Sequence, residues 1–328
     1  MTLFTRMLPM LILMLILGVS VGVNAAHAQP YPSRSIHLVV GFPIGGPADI
    51  VARMVAQHLT ERLGQPVVVD NRPGATGTIA AEQVARAAPD GYTMFMATQP
   101  TNSVAPHMYA KLGYDPLKDF ATVVRLGHNP LLIAVHPSMP VRSINDLIAV
   151  AKARPGEIDF ATGGIGSTPH MSMELFKRTA KLDMVAIHYK GESAAIVEAI
   201  GGHVQVLAAS LSVLLPHVRS GKLRGLAVTT TKRSTLAPEF PTIAESGLQD
   251  FDTSSWSGIV VPAATPREII RRLNTEIVQW LSQPGVREQF VKMGFEIVAD
   301  TPEQFAVFLR DENARWEKMV RELNLRAE

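Results

Sequence analysis

A strand, a glycine-containing loop and a helix occur twice in this chain, and this repetition constrains its fold more than any other feature. Residues 36–59 contain the first copy and residues 158–179 the second. A second strand and helix, and then a third strand, follow each copy in the same order and at nearly the same spacing. Two α/β lobes of like construction are the simplest account, although any α/β chain shows some such repetition by chance.

The first loop, residues 42–49, lies between a β-branched strand and an amphipathic helix. Gly45 and Gly46 allow the backbone to turn sharply and to approach a ligand closely. Pro47 suits the first turn of a helix, where its missing amide would be unpaired in any case. The remaining free amides at the positive end of the helix predict a cradle for an anion such as a carboxylate. An ordinary βα turn is the alternative for this stretch taken alone.

The second loop, residues 163–168, again precedes a helix. The hydroxyls of Ser167 and Thr168 can cap that helix or bind a carboxylate oxygen. If the two loops occupy equivalent positions in facing lobes, two helix N-termini meet in one cleft. Such a cleft binds an anion with little need for lysine or arginine.

Two extended segments, one near Leu131 and one near Thr253, are predicted to connect the lobes. The expected organisation is therefore lobe 1 at residues 29–130 and 253–328, with lobe 2 inserted at residues 131–252. Paired crossings of this kind form a hinge.

The N-terminal residues predict export. An apolar run at residues 7–23 follows Arg6 and precedes Ala26-His27-Ala28, a pattern typical of a signal peptide cleaved after Ala28. An uncleaved membrane anchor is the alternative for residues 1–28. The chain contains no cysteine, so the exported protein must depend on its apolar core. Its formal charge of +2 is too small to indicate nucleic acid as a partner.

Sequence motifs of several enzyme classes are missing. The chain has neither a nucleotide-binding P-loop nor a complete dinucleotide loop, and residues 29–328 lack the Gly-x-Ser-x-Gly elbow of serine hydrolases. Its histidines do not show zincin spacing. We therefore expect a binding protein, with no catalytic residue, cofactor or metal.

Several motifs match one known family. They are Phe42-Pro43-x-Gly45-Gly46-x-x-Asp49 and the stretches at residues 69–75, 88–92, 114–116, 189–191, 215–224 and 241–247. On these motifs the chain resembles the Bug family, the extracytoplasmic solute receptors of tripartite tricarboxylate transporters (TctC-like), from Tyr31 to the last helix. The resemblance implies a type II periplasmic binding protein fold, in which two lobes close on a ligand. It also implies a small carboxylated solute, held largely by main-chain amides of both loops, and the membrane permease subunits of the transporter as partners.

The candidate ligand-binding residues come from both arguments. The loops provide Phe42, Pro43, Ile44, Gly45, Gly46, Ala48, Asp49, Gly163, Gly164, Gly166, Ser167 and Thr168. By the resemblance, Gln99, Thr101 and Asn102 line the pocket. His170 and Tyr189 are further candidates, each with a packed side chain as its alternative.

One departure from the family concerns the ligand. Where the family commonly carries an acidic or amide pair, this chain has Ala209 and Ser210. Ser210 is retained as a candidate, and an aliphatic or aromatic mono- or dicarboxylate without an amino group is expected. A monomer is expected, and the alternative function is a periplasmic sensor that presents its closed form to a sensor kinase.

Overall fold

A computed structural model describes residues 31–249 and 251–326, and strands alternate with helices along the chain as the sequence predicts. The predicted signal peptide, residues 1–28, lies outside these described residues. Within them, no helix is both long enough and apolar enough to cross a bilayer.

Ten strands of the described residues form a mixed sheet. The strands are β1 (Ile36–Val40), β2 (Val67–Asn71), β3 (Thr93–Thr98), β4 (Phe120–Val135), β5 (Asp159–Thr162), β6 (Val185–His188), β7 (Val206–Ser210), β8 (Arg224–Val228), β9 (Ser254–Pro262) and β10 (Glu296–Ile297). The helices are α1 (Pro47–Leu63), α2 (Thr78–Ala85), α3 (Ala105–Met108), α4 (Ile144–Ala153), α5 (Thr168–Ala180), α6 (Glu192–Ile200), α7 (Leu211–Arg219), α8 (Arg267–Leu281), α9 (Pro284–Lys292) and α10 (Pro302–Leu323).

The first half of the sheet has the order β2-β1-β3-β9-β4. β1 is parallel to both β2 and β3, whereas β9 runs antiparallel to β3 and β4. Ile36, Leu38 and Val40 on β1 have no exposed surface. Their short run of apolar residues reflects a central parallel strand, which is covered on both faces.

The second half repeats this order. β5 lies between β6 and β7, just as β1 lies between β2 and β3, and its pairings are again parallel. β7 then pairs antiparallel with β4. The internal repeat predicted from the sequence is therefore confirmed by the strand order.

β4 joins the two halves. Its residues up to Pro130 pair with β9, whereas Leu131 and the residues after it pair with β7 and β8. β4 begins before the extended segment that the sequence predicts near Leu131, and it includes the turn-forming residues 127–130. β9 pairs with all four of these residues, and β10 pairs with Gly127 and His128 from the other side.

Thr229 ties the two crossing segments together. Its fully buried hydroxyl accepts a hydrogen bond from Leu131 N at 3.1 Å and donates one to Thr253 O at 2.7 Å. These contacts lie at the positions where the sequence predicts the crossings. The exact bounds of lobes 1 and 2 stay a prediction.

Separate apolar clusters stabilise the two halves. Phe95, Trp256 and Phe305 belong to a cluster in the first half. Phe160 and Phe176 belong to a cluster in the second half. Because each half has its own core, the loops between them remain available to form a site.

Candidate functional site

The first glycine loop connects β1 to α1. Gly45 has a φ of +81°, and a Cβ at this position would meet no atom within 4 Å. The backbone conformation, and not a lack of space, therefore requires glycine here. Gly46 is the N-cap of α1 and provides no capping side chain. As a result, Ala48 N has no hydrogen-bond partner among the described residues, as expected for an uncapped first turn.

Asp49 fixes the shape of this loop. Its carboxylate is almost fully buried, and Oδ2 accepts hydrogen bonds from Gly45 N at 2.9 Å and from Arg53 Nε at 3.0 Å. Asn71 Nδ2 donates to Oδ1 at 2.9 Å. Burial raises the pKa of Asp49, but these hydrogen bonds and the charge of Arg53 outweigh it and lower the pKa below its ordinary value. The loop is thus braced by an ionised side chain of its own helix.

The second loop has the same construction between β5 and α5. Gly166 has a φ of +74°, and Ser167 is the N-cap of α5. The Ser167 hydroxyl accepts a hydrogen bond from His170 N at 3.4 Å. Thr168 N has no partner within residues 31–249 and 251–326. Each loop therefore leaves an unpaired amide at the start of its helix.

His170 braces the second loop. Gly166 N donates to Nδ1 of His170 at 3.1 Å, so the proton of the neutral ring is on Nε2. Burial, together with the neighbouring His188, lowers the pKa of His170 to about 3. The two imidazole rings meet edge to face, with centroids 4.8 Å apart. His170 is consequently neutral and holds backbone, in agreement with the packed alternative for this residue.

The second loop also contacts the first half of the fold. Thr76 Oγ1 donates a hydrogen bond to Ile165 O at 2.9 Å. A Cβ on Gly166 would lie 3.1 Å from Met108 Sδ. Residues from both predicted lobes therefore meet at this loop.

Both loops face one cavity of about 200 Å³. The first loop contributes Phe42, Pro43, Ile44, Gly46, Pro47 and Ala48, and the second contributes Gly163, Ser167, Thr168 and Pro169. The rest of the lining comes from the central strands and from the starts of α6 and α7, and consists of Thr98, Pro100, Asn129, Lys190, Gly191, Glu192, Ser193, Ser210, Val213, Ser255 and Ser257. Ala48 and Thr168, the two residues with unpaired amides, both line this cavity.

Glu192 brings a carboxylate into this cavity. It is the first residue of α6 and is partly buried. Ser210 N donates to Oε2 at 2.9 Å, and Ser210 Oγ donates to Oε1 at 3.1 Å. Burial raises the pKa of the Glu192 carboxyl above its ordinary value, and the hydrogen bonds from Ser210 offset only part of this rise.

Asn129 has an unpartnered side-chain oxygen. It lies on β4 and is 6% exposed, and its buried Oδ1 has no hydrogen-bond partner among the described residues. Buried polar groups in folded proteins are nearly always paired with protein, water or a ligand. The side-chain oxygen of this cavity-lining residue therefore has an unfilled acceptor position.

The predicted site residues of the two loops, together with Ser210, fall into two groups. Those that line the cavity are Phe42, Pro43, Ile44, Gly46, Ala48, Gly163, Ser167, Thr168 and Ser210. Gly45, Asp49, Gly164, Gly166 and His170 belong to the same two loops but do not line the cavity. For all of these residues, a role in ligand binding stays a prediction.

The remaining predicted residues lie elsewhere. Thr101 and Asn102 are fully buried in a π-helical turn, Pro100–Val104, and do not line the cavity. Gln99 lines a separate cavity of about 360 Å³. Tyr189 packs against an apolar cluster of the second half.

Sequence reasoning missed several lining residues, above all Glu192 and Asn129. An acidic residue at the start of a helix is ordinarily explained by its favourable interaction with the helix dipole. The sequence alone therefore gives no reason to assign Glu192 to a cavity. Asn129 precedes a proline, and such a pair is typical of turns. The motif at residues 189–191 did point to the loop that carries Lys190 and Glu192.

No group of three or more histidine, aspartate or glutamate side chains is placed to hold a metal ion within the described part of the chain.

Comparison with known proteins places this geometry in a family. Residues 51–325 match the family described as the tripartite tricarboxylate transporter family receptor. Protein BugT of Bordetella pertussis is 39% identical over 296 residues, which cover 90% of this chain and 91% of BugT.

Two solved structures are similar to this one. Rpa4515 of R. palustris with adipate is 36% identical with a TM-score of 0.86, over 90% of this chain and 99% of that one. MatC (Rpa3494) of Rhodopseudomonas palustris with bound malate is 31% identical with a TM-score of 0.82, over 88% of this chain and 100% of that one. The fold is thus the two-lobed α/β fold of the periplasmic solute-binding proteins.

The resemblance to this family seen in the sequence is confirmed by these comparisons. The chain therefore belongs to the tripartite tricarboxylate transporter receptor family, whose members are solute-binding receptors and not enzymes.

Proposed function

We propose that this protein is a periplasmic receptor that binds a small carboxylate between the two glycine loops and delivers it to the permease subunits of a tripartite tricarboxylate transporter. One observation carries the proposal. The first turns of α1 and α5 line the same cavity, and each has an unpaired amide there, on Ala48 and on Thr168. Helix N-termini with free amides are suited to anions, because hydrogen bonds and the helix dipole act together.

The side chains of Asp49 and His170, which hold the two loops, support the proposal energetically. A receptor gains affinity when its donors are already in position, because less conformational entropy is lost on binding. Asp49 and His170 hold the two loops through bonds to Gly45 and Gly166. The neutral state of His170 means that the second brace adds no positive charge of its own. The ligand is therefore recognised mainly by backbone amides.

The relatives support the ligand class. The structures with adipate and with malate show that receptors of this fold hold small aliphatic carboxylates. The cavity of this chain has Lys190 and Glu192 as its charged lining residues, so the formal charges of its side chains balance. The partial positive charge of the loop amides then favours an anionic ligand.

A titration tests the binding mode. The purified protein is titrated calorimetrically with butyrate, hexanoate, succinate, adipate and malate, and with the neutral amides of the same acids. We expect at least one carboxylate to bind and its amide to bind at least a hundredfold more weakly. Equal affinity for an acid and its amide would overturn the proposal.

Delivery is tested separately. Membrane vesicles that contain the permease subunits are supplied with radiolabelled ligand, with and without this protein. Uptake that depends on the protein is expected, and uptake of equal rate without it would contradict the transporter role.

A further inference from the structure

Glu192 lines the same cavity as the two glycine loops. Its two oxygens accept hydrogen bonds from the amide and the hydroxyl of Ser210. Ser210 ends β7 and is the N-cap of α7. A carboxylate held by a main-chain amide and a hydroxyl at a helix start is the arrangement expected for a bound acid. Here the protein supplies that acid itself.

The position of Glu192 is built into the second loop. A Cβ on Gly163 would lie 3.1 Å from Glu192 N and 3.4 Å from Glu192 Cγ. Gly191 N donates to Gly163 O at 3.2 Å. A side chain at position 163 would therefore require Glu192 and the start of α6 to move by a few tenths of an ångström. The carboxylate is thus directed into the same cavity as the anion-binding amides.

Two consequences follow for a ligand. When Glu192 is ionised, its carboxylate has about four acceptor positions, and Ser210 fills two of them. The others can accept from a ligand hydroxyl or ammonium group. A second carboxylate on the ligand, by contrast, would meet like charge in a poorly hydrated space.

We propose that Glu192 selects monocarboxylates that carry a hydrogen-bond donor, above all an ammonium group, and disfavours dicarboxylates. The inference rests on the proposed function, because it assumes that the loop amides bind the other end of the ligand. It also reverses the expectation drawn from Ala209 and Ser210. Ala209 and Ser210 on β7 provide no acidic side chain, but Glu192 on α6 provides one beside Ser210.

Length-matched ligands test the inference. The four-carbon series is butyrate, 4-hydroxybutyrate, 4-aminobutyrate and succinate, and the six-carbon series is hexanoate, 6-hydroxyhexanoate, 6-aminohexanoate and adipate. Within a series the molecules differ only at the end remote from the shared carboxylate. In the better-bound series we expect the amino acid to bind at least tenfold more tightly than the dicarboxylate, with the hydroxy acid between them.

Two variants assign the preference to Glu192. Glu192→Gln keeps the size of the side chain and removes its charge, so the ratio of amino acid to dicarboxylate affinity should fall at least tenfold. Glu192→Ala exposes the amide and hydroxyl of Ser210 and should improve dicarboxylate binding by a similar factor. Glu198→Gln is the matched control, because Glu198 lies on the same helix but pairs with exposed His203 outside the cavity. It should leave the ratio unchanged.

The outcomes separate this inference from the proposed function. Binding of carboxylates with a ratio that Glu192→Gln does not change would overturn the role of Glu192 alone. A wild-type preference for the dicarboxylate in both series would also overturn it. Binding of no member of either series would overturn the proposed function and this inference together.

Discussion

Asp49 and His170 make the same hydrogen bond in the two halves of the protein. Each is the third residue of its helix, and each accepts a hydrogen bond from the amide of a positive-φ glycine four residues earlier. The distances are 2.9 Å to Gly45 N and 3.1 Å to Gly166 N. The internal repeat therefore extends from strand order to the atoms that hold the loops, although one brace is an anion and the other a neutral ring.

Replacing the first brace should weaken both the fold and the site. Asp49→Asn substitutes a donor for one of two oxygens that accept three hydrogen bonds. Leaving buried donors unpaired costs about 1–3 kcal/mol, so unfolding in urea should show a loss of that order. Calorimetry should show at least a tenfold loss of carboxylate affinity, because the loop amides lose their fixed orientation.

The matched control for Asp49 is Asp70→Asn. Asp70 pairs with Arg72 at the surface, where both side chains are partly exposed. Exposed pairs contribute about 0–1 kcal/mol, so stability should change little and affinity not at all. Wild-type affinity in Asp49→Asn would show that the brace is not needed.

The conformation of Gly45 should matter more than the space around it. Gly45→Val and Gly64→Val introduce the same side chain at φ values of +81° and +71°, and in both positions a Cβ meets no atom within 4 Å. The two residues flank α1 at opposite ends. Strain of about 1–3 kcal/mol is expected in each variant.

Only Gly45→Val should lose ligand, by at least a hundredfold in calorimetric titration, because only its loop faces the cavity. Thermal unfolding of both variants should remain cooperative. Equal affinities in the two variants would contradict the anion cradle.

His170 should make stability depend on pH. Its pKa is lowered to about 3 by burial, with His188 and Lys177 adding repulsion, whereas the unfolded histidine titrates near 6.5. The unfolded chain therefore binds a proton that the folded protein does not bind in this interval. The stabilisation is complete above pH 6.5 and is lost as the pH falls towards 3.

His170→Asn isolates this effect, since its side-chain oxygen can accept from Gly166 N but does not titrate. When the pH is lowered from 6.5 to 4.5, the free energy of unfolding of the wild type should fall by roughly 2–3 kcal/mol more than that of the variant. Denaturant unfolding at each pH measures this difference. The comparison at pH 8, where both side chains are neutral, gives the packing difference alone. Parallel pH profiles for the two proteins would refute the buried neutral histidine.

Thr229 should stabilise the crossing of β4 and the segment before β9. Thr229→Val keeps the shape of the side chain but leaves Leu131 N and Thr253 O without the hydroxyl. We expect a loss of about 2 kcal/mol in the free energy of unfolding. Thr231→Val, two residues away and exposed, should be nearly neutral. If both variants unfold alike, the hydroxyl contributes nothing at the crossing.

The sequence determined the pattern of the fold because that pattern is local. Apolar periodicity marks strands and helices, and the glycines and Pro47 mark the loops between them. The repeat of the strand–loop–helix unit was therefore visible, and so were the two loops that line the cavity. The length of β4 was not visible, since residues 127–130 form a strand only because β9 and β10 pair with them.

Tertiary structure alone decided which side chains enter the cavity. Glu192 and Ser210 are 18 residues apart, and they meet because β5 places the start of α6 beside the end of β7. In the same way, Asp49 and His170 point back at their own loops, so they brace the site and do not line it. A local pattern fixes where a helix begins, but the packing of neighbouring strands fixes what its first residues face.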